Sequence, residues 1–147
     1  MADNNAVEIL LVEDNPNDVE LALHALKKNK VSNRIHIARD GEEALEFIFG
    51  KNGKDSPKEQ HPKMILLDLK LPKVNGLEVL KRLKSDARTR SIPVIVLTSS
   101  AEERDIVESY DLGVNSYIVK PVDFQQFNEA IRQLGLYWLV MNQAPAL

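Results

Sequence analysis

The sequence of 147 residues contains no cysteine, which excludes a disulfide framework and any metal site built from thiolates. It also lacks an uncharged apolar run that approaches the roughly 20 residues needed to span a bilayer. The first residues have neither the basic segment nor the long apolar segment of a secretory signal peptide. These absences predict a cytoplasmic protein with no membrane partner.

An excess of basic residues is missing too. The sequence has 19 Lys and Arg residues and 22 Asp and Glu residues, which gives a net charge of −3. This charge argues against direct DNA binding. Hydrophobic residues make up 44% and charged residues 28%, as is usual for a folded globular chain. The length suits one domain over residues 1–147.

Five short apolar runs alternate with stretches in which apolar residues recur at helical spacing. The runs cover residues 7–12, 35–38, 64–67, 94–97 and 117–119. The helical patterns are carried by Val19, Ala22, Leu23 and Leu26, by Ala44, Leu45 and Ile48, by Leu77, Leu80, Leu83 and Lys84, by Ile106, Val107 and Tyr110, and by Phe124, Phe127, Ile131 and Leu134. Asn15 suits a helix cap, Pro16 the first position of that helix and Gly113 a helix end. The alternation predicts an α/β fold with a doubly wound parallel sheet and helices on both faces.

Polar side chains stand at the carboxyl ends of the predicted strands, where ligands bind in such folds. They are Glu13, Asp14, Asp68, Thr98 and Lys120. Carboxylates crowded at one rim repel each other and attract a cation. Because all the ligands on offer are oxygens, they suit Mg²⁺ that keeps several waters better than a calcium cage. Zinc is disfavoured, since cysteine is absent and none of the three histidines stands at a strand end.

A carboxylate at the centre of such a site can attack phosphorus and form an aspartyl phosphate. Mg²⁺ on Asp14 and Asp68 would take one phosphoryl oxygen, Lys120 a second, and Thr98 with nearby backbone N–H groups the third. Taken singly, an Asp after an apolar run is usually a turn or cap residue, and a Thr at a strand end is usually structural. The joint placement on neighbouring strand ends is what favours function.

Four motifs resemble those of a known family, the receiver domains of bacterial two-component response regulators. They are LLVEDNPND (10–18), LLDLKLPKVNG (66–76), PVIVLTSS (93–100) and GVNSYIVKPVD (113–123). The similarity covers about residues 7–134, which leaves 135–147 as an extension of the last helix. It implies a (βα)5 flavodoxin-like fold with strand order 2-1-3-4-5.

The resemblance also implies roles for single residues. Asp68 would be the phosphoacceptor, with Asp14 binding Mg²⁺ directly and Glu13 through water. The backbone carbonyl of Lys70 would complete the protein ligands.

The remaining implied roles concern the phosphoryl group and the response to it. Lys120 would contact the phosphoryl group and precede a cis peptide at Pro121. Thr98 would move toward the phosphate, and the ring of Tyr117 would follow it.

As a whole, the resemblance implies a single-domain response regulator in a phosphorelay, without an output enzyme domain. Its donor would be a sensor histidine kinase, and phosphorylation would change partner binding at the surface of the fourth helix, fifth strand and fifth helix. The opening motif, the long loop before the third strand and the LGLYWL ending are similar to small regulators that accompany phytochrome-like kinases.

The last predicted helix carries more apolar side chains than one sheet face needs. One stripe consists of Phe124, Phe127, Ile131, Leu134, Trp138 and Met141. Off that stripe stand Leu136, Tyr137, Leu139 and Val140. Two explanations stay open: a contact with a second copy or partner through this helix and the fifth strand, or a tail that folds onto its own domain.

Three other functions compete with this prediction. A Mg²⁺-dependent phosphohydrolase of the haloacid dehalogenase type needs an acid/base two residues after the nucleophile, where this chain has Lys70. A nucleotide or flavin binder is disfavoured, because FGKNGKDS fails the phosphate-loop spacing and G-x-G-x-x-G is absent. A receiver used only for docking would not need all five rim residues.

Overall fold

The structure, a computed structural model, describes residues 7–29, 34–50, 61–120 and 123–136. Within these ranges, strands and helices alternate along the chain. The strands are β1 (Ile9–Val12), β2 (Ile35–Ala38), β3 (Met64–Leu67), β4 (Val94–Thr98) and β5 (Ser116–Val119). The helices are α1 (Pro16–Lys28), α2 (Gly41–Phe49), α3 (Gly76–Ser85), α4 (Glu103–Asp111) and α5 (Phe124–Leu136). The predicted alternation is confirmed, with strand ends that differ by one or two residues.

The strands form one parallel sheet in the order β2-β1-β3-β4-β5. This is the order implied by the resemblance, and it is confirmed. β3 lies at the centre, and all four of its residues are fully buried. The chain order reverses beside β1, so the carboxyl ends of β1 and β3 flank the crevice in which ligands bind in such sheets.

Helices cover both faces of the sheet. Leu10 and Val12 of β1 face a cluster that contains the buried side chains of α2 and α3. Ile9 and Leu11 face the opposite cluster, to which α1 and α5 contribute. Because both faces are covered, the strands carry apolar residues at every position rather than in alternation.

The first helix begins as its sequence predicts. The side chain of Asn15 accepts hydrogen bonds from the backbone N–H groups of Asn17 (2.8 Å) and Asp18 (3.3 Å), and Pro16 occupies the first helical position. This cap holds the first turn of α1 directly after the carboxylates at the end of β1.

The fourth helix departs from the prediction. Its apolar pattern was expected to face the sheet, yet the side chains of Val107 and Tyr110 are 49% and 51% exposed. Ser109 is the buried residue of α4, and Leu112 beyond it packs against the core. Burial in this helix is thus greatest near its carboxyl end, at Ser109, and Gly113 follows with φ of +98°.

Some predictions fall on parts of the chain outside the described residues. These are the loop at 51–60, Pro121, and the tail from Tyr137 onward with Trp138, Leu139, Val140 and Met141. Within the described residues, no helix has the length and apolar character needed to cross a bilayer.

Candidate functional site

The candidate site lies on the rim formed by the carboxyl ends of four adjacent strands. The backbone N–H groups of three key residues continue the sheet hydrogen bonding past the strand ends. Glu13 N–H donates to Ala38 O (2.9 Å), Asp68 N–H to Val12 O (3.0 Å) and Lys120 N–H to Thr98 O (2.7 Å). The positions of these side chains are therefore set by the sheet rather than by a loose loop.

Three carboxylates come together on this rim, as the sequence predicts. Glu13, Asp14 and Asp68 each offer an oxygen within 4.8 Å of the others. Glu13 and Asp68 are 2% and 5% exposed, whereas Asp14 is open to solvent. A set of hard oxygen donors with one solvent-facing member fits a small divalent cation that keeps part of its water shell.

Lys120 reaches from the end of β5 into this cluster. Its Nζ donates to Glu13 Oε1 and Asp18 Oδ2, both at 2.8 Å, and contacts Asp68 Oδ2 at 3.4 Å. An ammonium has three N–H donors, so each of them meets a carboxylate. The sequence predicts Lys120 on the same rim as the carboxylates, and the structure places its ammonium beside Asp68; its contact with a phosphoryl group stays a prediction.

Asp18 is a site residue that the sequence interpretation missed. It lies in the first turn of α1 rather than at a strand end, so the rule used to find the other residues does not reach it. A usable signal is its place in the first turn of a helix that starts at Pro16, directly after the carboxylates at the end of β1.

Negative charge exceeds positive charge around the ammonium. Burial raises the pKa of Glu13 to about 7; the hydrogen bond from Lys120 opposes this shift, and the charge of Asp68 adds to it. Burial alone would lower the pKa of Lys120, but hydrogen bonds to Asp18 and Glu13 and the charge of Asp68 raise it above its ordinary value. The ammonium is thus firmly charged, and the carboxylates around it are under mutual repulsion that a cation relieves.

The loop after Asp68 approaches the site closely. Lys70 N–H donates to Asp68 Oδ1 at 3.2 Å, which fixes one carboxylate oxygen while the other faces Lys120. Gly76 N–H donates to Leu69 O at 2.8 Å, and a Cβ on Gly76 would lie 2.2 Å from Asp68 O. Only glycine allows α3 to start so near the carboxylate. The carbonyl of Lys70 as a metal ligand stays a prediction.

Thr98 is fully buried and connects to Tyr117 through Ser100. The hydroxyl of Thr98 accepts from Ser100 N–H (3.3 Å), and the hydroxyl of Tyr117 donates to Ser100 O (2.9 Å). Ser100 Oγ in turn donates to Asp105 Oδ2 of α4 at 2.5 Å. Thr98 therefore joins the rim to α4 and β5 by short polar contacts. The contact of Asp105 with Ser100 is not predicted by the sequence pattern.

The match to known proteins agrees with this geometry. Residues 9–132 match the response regulator receiver domain. The chain belongs to this family, whose fold and rim of carboxylates it shows.

Individual relatives are small response regulators. Response regulator Rcp1 of Synechocystis sp. is 37% identical over 139 residues, which cover 94% of this chain and 92% of Rcp1. The crystal structure of the Mn(2+)-bound form of Rcp1 has a TM-score of 0.79 and covers 95% of this chain and 99% of its own. The phosphorylated cyanobacterial phytochrome response regulator RcpA is 39% identical, with a TM-score of 0.79 and coverage of 96% and 99%. The bacteriophytochrome response regulator RtBRR is 51% identical, with a TM-score of 0.74 and coverage of 95% and 84%.

Proposed function

We propose that the chain acts as a single-domain response regulator whose Asp68 accepts a phosphoryl group from a phosphohistidine of a sensor kinase. The observation that carries this proposal is the buried carboxylate at the end of the central strand, faced by the ammonium of Lys120 at 3.4 Å. The similarity to RcpA, a structure of a phosphorylated regulator, supports the same chemistry here.

In the proposed transfer, an Asp68 oxygen forms a bond to phosphorus while the bond from phosphorus to the histidine nitrogen breaks. The electron pair of that bond stays on the imidazole, which takes up a proton from solvent, and the product is an aspartyl phosphate. The ammonium of Lys120 would balance charge on one phosphoryl oxygen, and the hydroxyl of Thr98 would donate to another.

The residues that would hold Mg²⁺ are Asp14 and Asp68 directly, Glu13 through water and Lys70 through its carbonyl. When bound, the cation would neutralise charge on the phosphoryl oxygens. The cluster of three carboxylate oxygens within 4.8 Å and the Mn(2+)-bound form of Rcp1 support a divalent cation.

The proposed output is a change in partner binding. Movement of the Thr98 hydroxyl toward the phosphoryl group would break its contact with Ser100 N–H and disturb the carbonyl that holds Tyr117. The affected surface consists of α4, β5 and α5, where Val107 and Tyr110 are already exposed. The cis peptide at Pro121 that the resemblance implies stays a prediction, because Pro121 lies outside the described residues.

The proposed partners follow from the relatives and from the charge. The similarity to two phytochrome response regulators, RcpA and RtBRR, supports a phytochrome-like sensor kinase as the donor. We place the protein in the cytoplasm and its output in contacts with another protein. The net charge of −3 argues against DNA binding as the output. A homodimer through the last helix and β5 is part of the proposal, and sedimentation across micromolar concentration, with and without phosphorylation, tests it.

The central experiment is phosphorylation of the purified protein by acetyl phosphate with Mg²⁺, followed by intact mass measurement. We expect the wild type to gain the mass of one phosphoryl group and Asp68→Asn to gain none, because an amide nitrogen cannot replace the nucleophilic oxygen. Asp111→Asn is the matched control, since it removes an exposed carboxylate of α4 away from the rim.

A phosphoryl gain that persists in Asp68→Asn would contradict the assignment of the acceptor. Multiple-turnover hydrolysis of a small phosphomonoester would instead favour the phosphohydrolase. A wild type that binds its partner but takes up no phosphoryl group would favour the docking module.

A further inference from the structure

Lys120 has one partner that none of the proposed steps uses. Asp18 Oδ2 accepts from Lys120 Nζ at 2.8 Å, the same distance as Glu13 and shorter than the 3.4 Å to Asp68. The ammonium is largely buried, with 14% of its side chain exposed, so each of these charged contacts is shielded from solvent. Asp18 therefore holds the ammonium at the same distance as Glu13 and more closely than Asp68.

The other two partners of Lys120 also belong to the candidate cation site. Glu13 and Asp68 belong to the group of carboxylates close enough to share a cation, and Asp18 stands outside that group among the described residues. An ammonium that rests on Glu13 and Asp68 competes with a divalent cation for the same oxygens. When those oxygens turn to the cation, the ammonium keeps a partner only if a carboxylate outside the cation site is in reach.

We propose that Asp18 is a positioning residue that draws Lys120 off the cation-binding carboxylates while keeping its ammonium at the rim beside Asp68. This inference rests on the proposed function, because it concerns the cation and the lysine of the same site. Asp18 touches neither the cation nor the phosphoryl group, and it acts through Lys120 alone.

The placement of Asp18 suits this role. Its backbone N–H is held by the Asn15 side chain at 3.3 Å, so the first turn of α1 positions Asp18 independently of β5. Asp18 is 26% exposed, so it retains access to water when Lys120 shifts.

The test compares Mg²⁺ binding by isothermal titration calorimetry in four proteins: wild type, Asp18→Asn, Lys120→Met and the double variant. We expect Asp18→Asn to raise the Kd for Mg²⁺ on the order of fivefold, the size of a well-placed ion pair. The Mg²⁺ concentration for half-maximal phosphorylation by acetyl phosphate rises by the same factor. In the Lys120→Met background, Asp18→Asn should have little further effect, because no ammonium is left to compete.

Two controls separate this role from a loss of charge or of fold. Glu20→Gln removes one exposed carboxylate from the same helix and should leave the Kd unchanged. Asp18→Glu keeps the carboxylate and should recover most of the affinity. Lys120→Gln replaces Lys120→Met if the methionine variant fails to fold.

An equal rise in Kd in both lysine backgrounds, an unchanged Kd in Asp18→Asn, or an equal effect from Glu20→Gln would each overturn the proposal. Calorimetry does not depend on phosphoryl transfer. A wild type that binds Mg²⁺ with these differences but never gains phosphoryl mass would therefore remove the proposed function and leave the role of Asp18 standing.

Discussion

Two partly buried lysines at opposite ends of the sheet differ in the charge of their partners, and their pKa values shift in opposite directions. Lys120 lies at the carboxyl ends of the strands and meets three carboxylates, which raise its pKa. Lys84 lies in α3, and its Nζ donates to Arg90 O (3.0 Å) and Ile92 O (2.9 Å), which shortly precede the amino end of β4. Burial lowers the pKa of Lys84.

The two lysines therefore differ in the charge that surrounds each ammonium. The carbonyls around Lys84 are neutral and have no other duty, so that lysine closes the turn between α3 and β4. The carboxylates around Lys120 carry more charge than it neutralises, so their mutual repulsion favours the binding of a cation. We therefore expect Mg²⁺ to restore the stability lost when Lys120 is replaced, but not the stability lost when Lys84 is replaced.

The largest expected effect comes from crowding the rim end of the sheet. Gly76→Ala places a Cβ 2.2 Å from Asp68 O and 2.5 Å from the Leu69 Cα, so the backbone beside the acceptor has to move. We expect a loss of about 3 kcal/mol in the free energy of unfolding, measured with urea, and a slower gain of phosphoryl mass. Ser85→Ala at the exposed end of the same helix is the control, and an equal loss there would contradict the clash.

The next effect tests the two lysines directly. With EDTA present, we expect Lys84→Met and Lys120→Met each to lose about 1–2 kcal/mol of unfolding free energy, since each leaves polar groups without their donor. Excess Mg²⁺ should restore Lys120→Met, because a cation replaces the lost ammonium among the carboxylates. It should not restore Lys84→Met, because the carbonyls left without a donor lie far from the rim. If Mg²⁺ restores the stability of both variants, the distinction between the two lysines is wrong.

The smallest effect concerns a surface pair near the Lys84 end. The hydrogen bond from Arg88 lowers the pKa of Asp86 to about 2 from an ordinary 3.8. A depressed carboxyl pKa adds stability above the ordinary value and loses it as pH falls toward the folded one. Arg88→Met should therefore lower the free energy of unfolding only slightly near neutral pH, because solvent screens the pair, and the deficit should vanish as pH approaches 2.

Urea unfolding across pH, with the Asp86 carboxyl followed by NMR, measures this deficit. Arg88 also lies over the Phe49 ring at 5.2 Å, so Arg82→Met, which removes the other guanidinium near that ring, is the matched control. A deficit that stays constant down to pH 2, or that Arg82→Met reproduces, would assign the effect to the ring contact instead.

Much of the fold and most of the rim are readable from the sequence, for a physical reason. A strand buried on both faces needs an uninterrupted apolar run, so Met64–Leu67 is visible as β3 and Asp68 stands out as its end. In a parallel sheet, residues at strand ends must share a rim, which brings Asp68 to Glu13 and Lys120 without any knowledge of loops.

The parts that the sequence did not reveal depend on how helices are rotated and where side chains reach. Asp18 joins the site because α1 turns it toward Lys120, and helical spacing alone does not say which neighbour it meets. Val107 and Tyr110 fit an inward apolar pattern, but α4 packs mainly at its carboxyl end and leaves them exposed. The Ser100 contact to Asp105 needs the same kind of three-dimensional information.

The strand order has a consequence for how the site comes into being. Glu13 and Lys120 meet at 2.8 Å although 107 residues separate them in the chain, and the strands between them fill the centre of the sheet. Contacts of such long sequence separation form late in folding, once the intervening loops have closed. A partly folded chain in which β5 has not yet joined the sheet therefore has the Asp68 carboxylate without its ammonium partner, and the proposed phosphoryl transfer would depend on the docking of that strand.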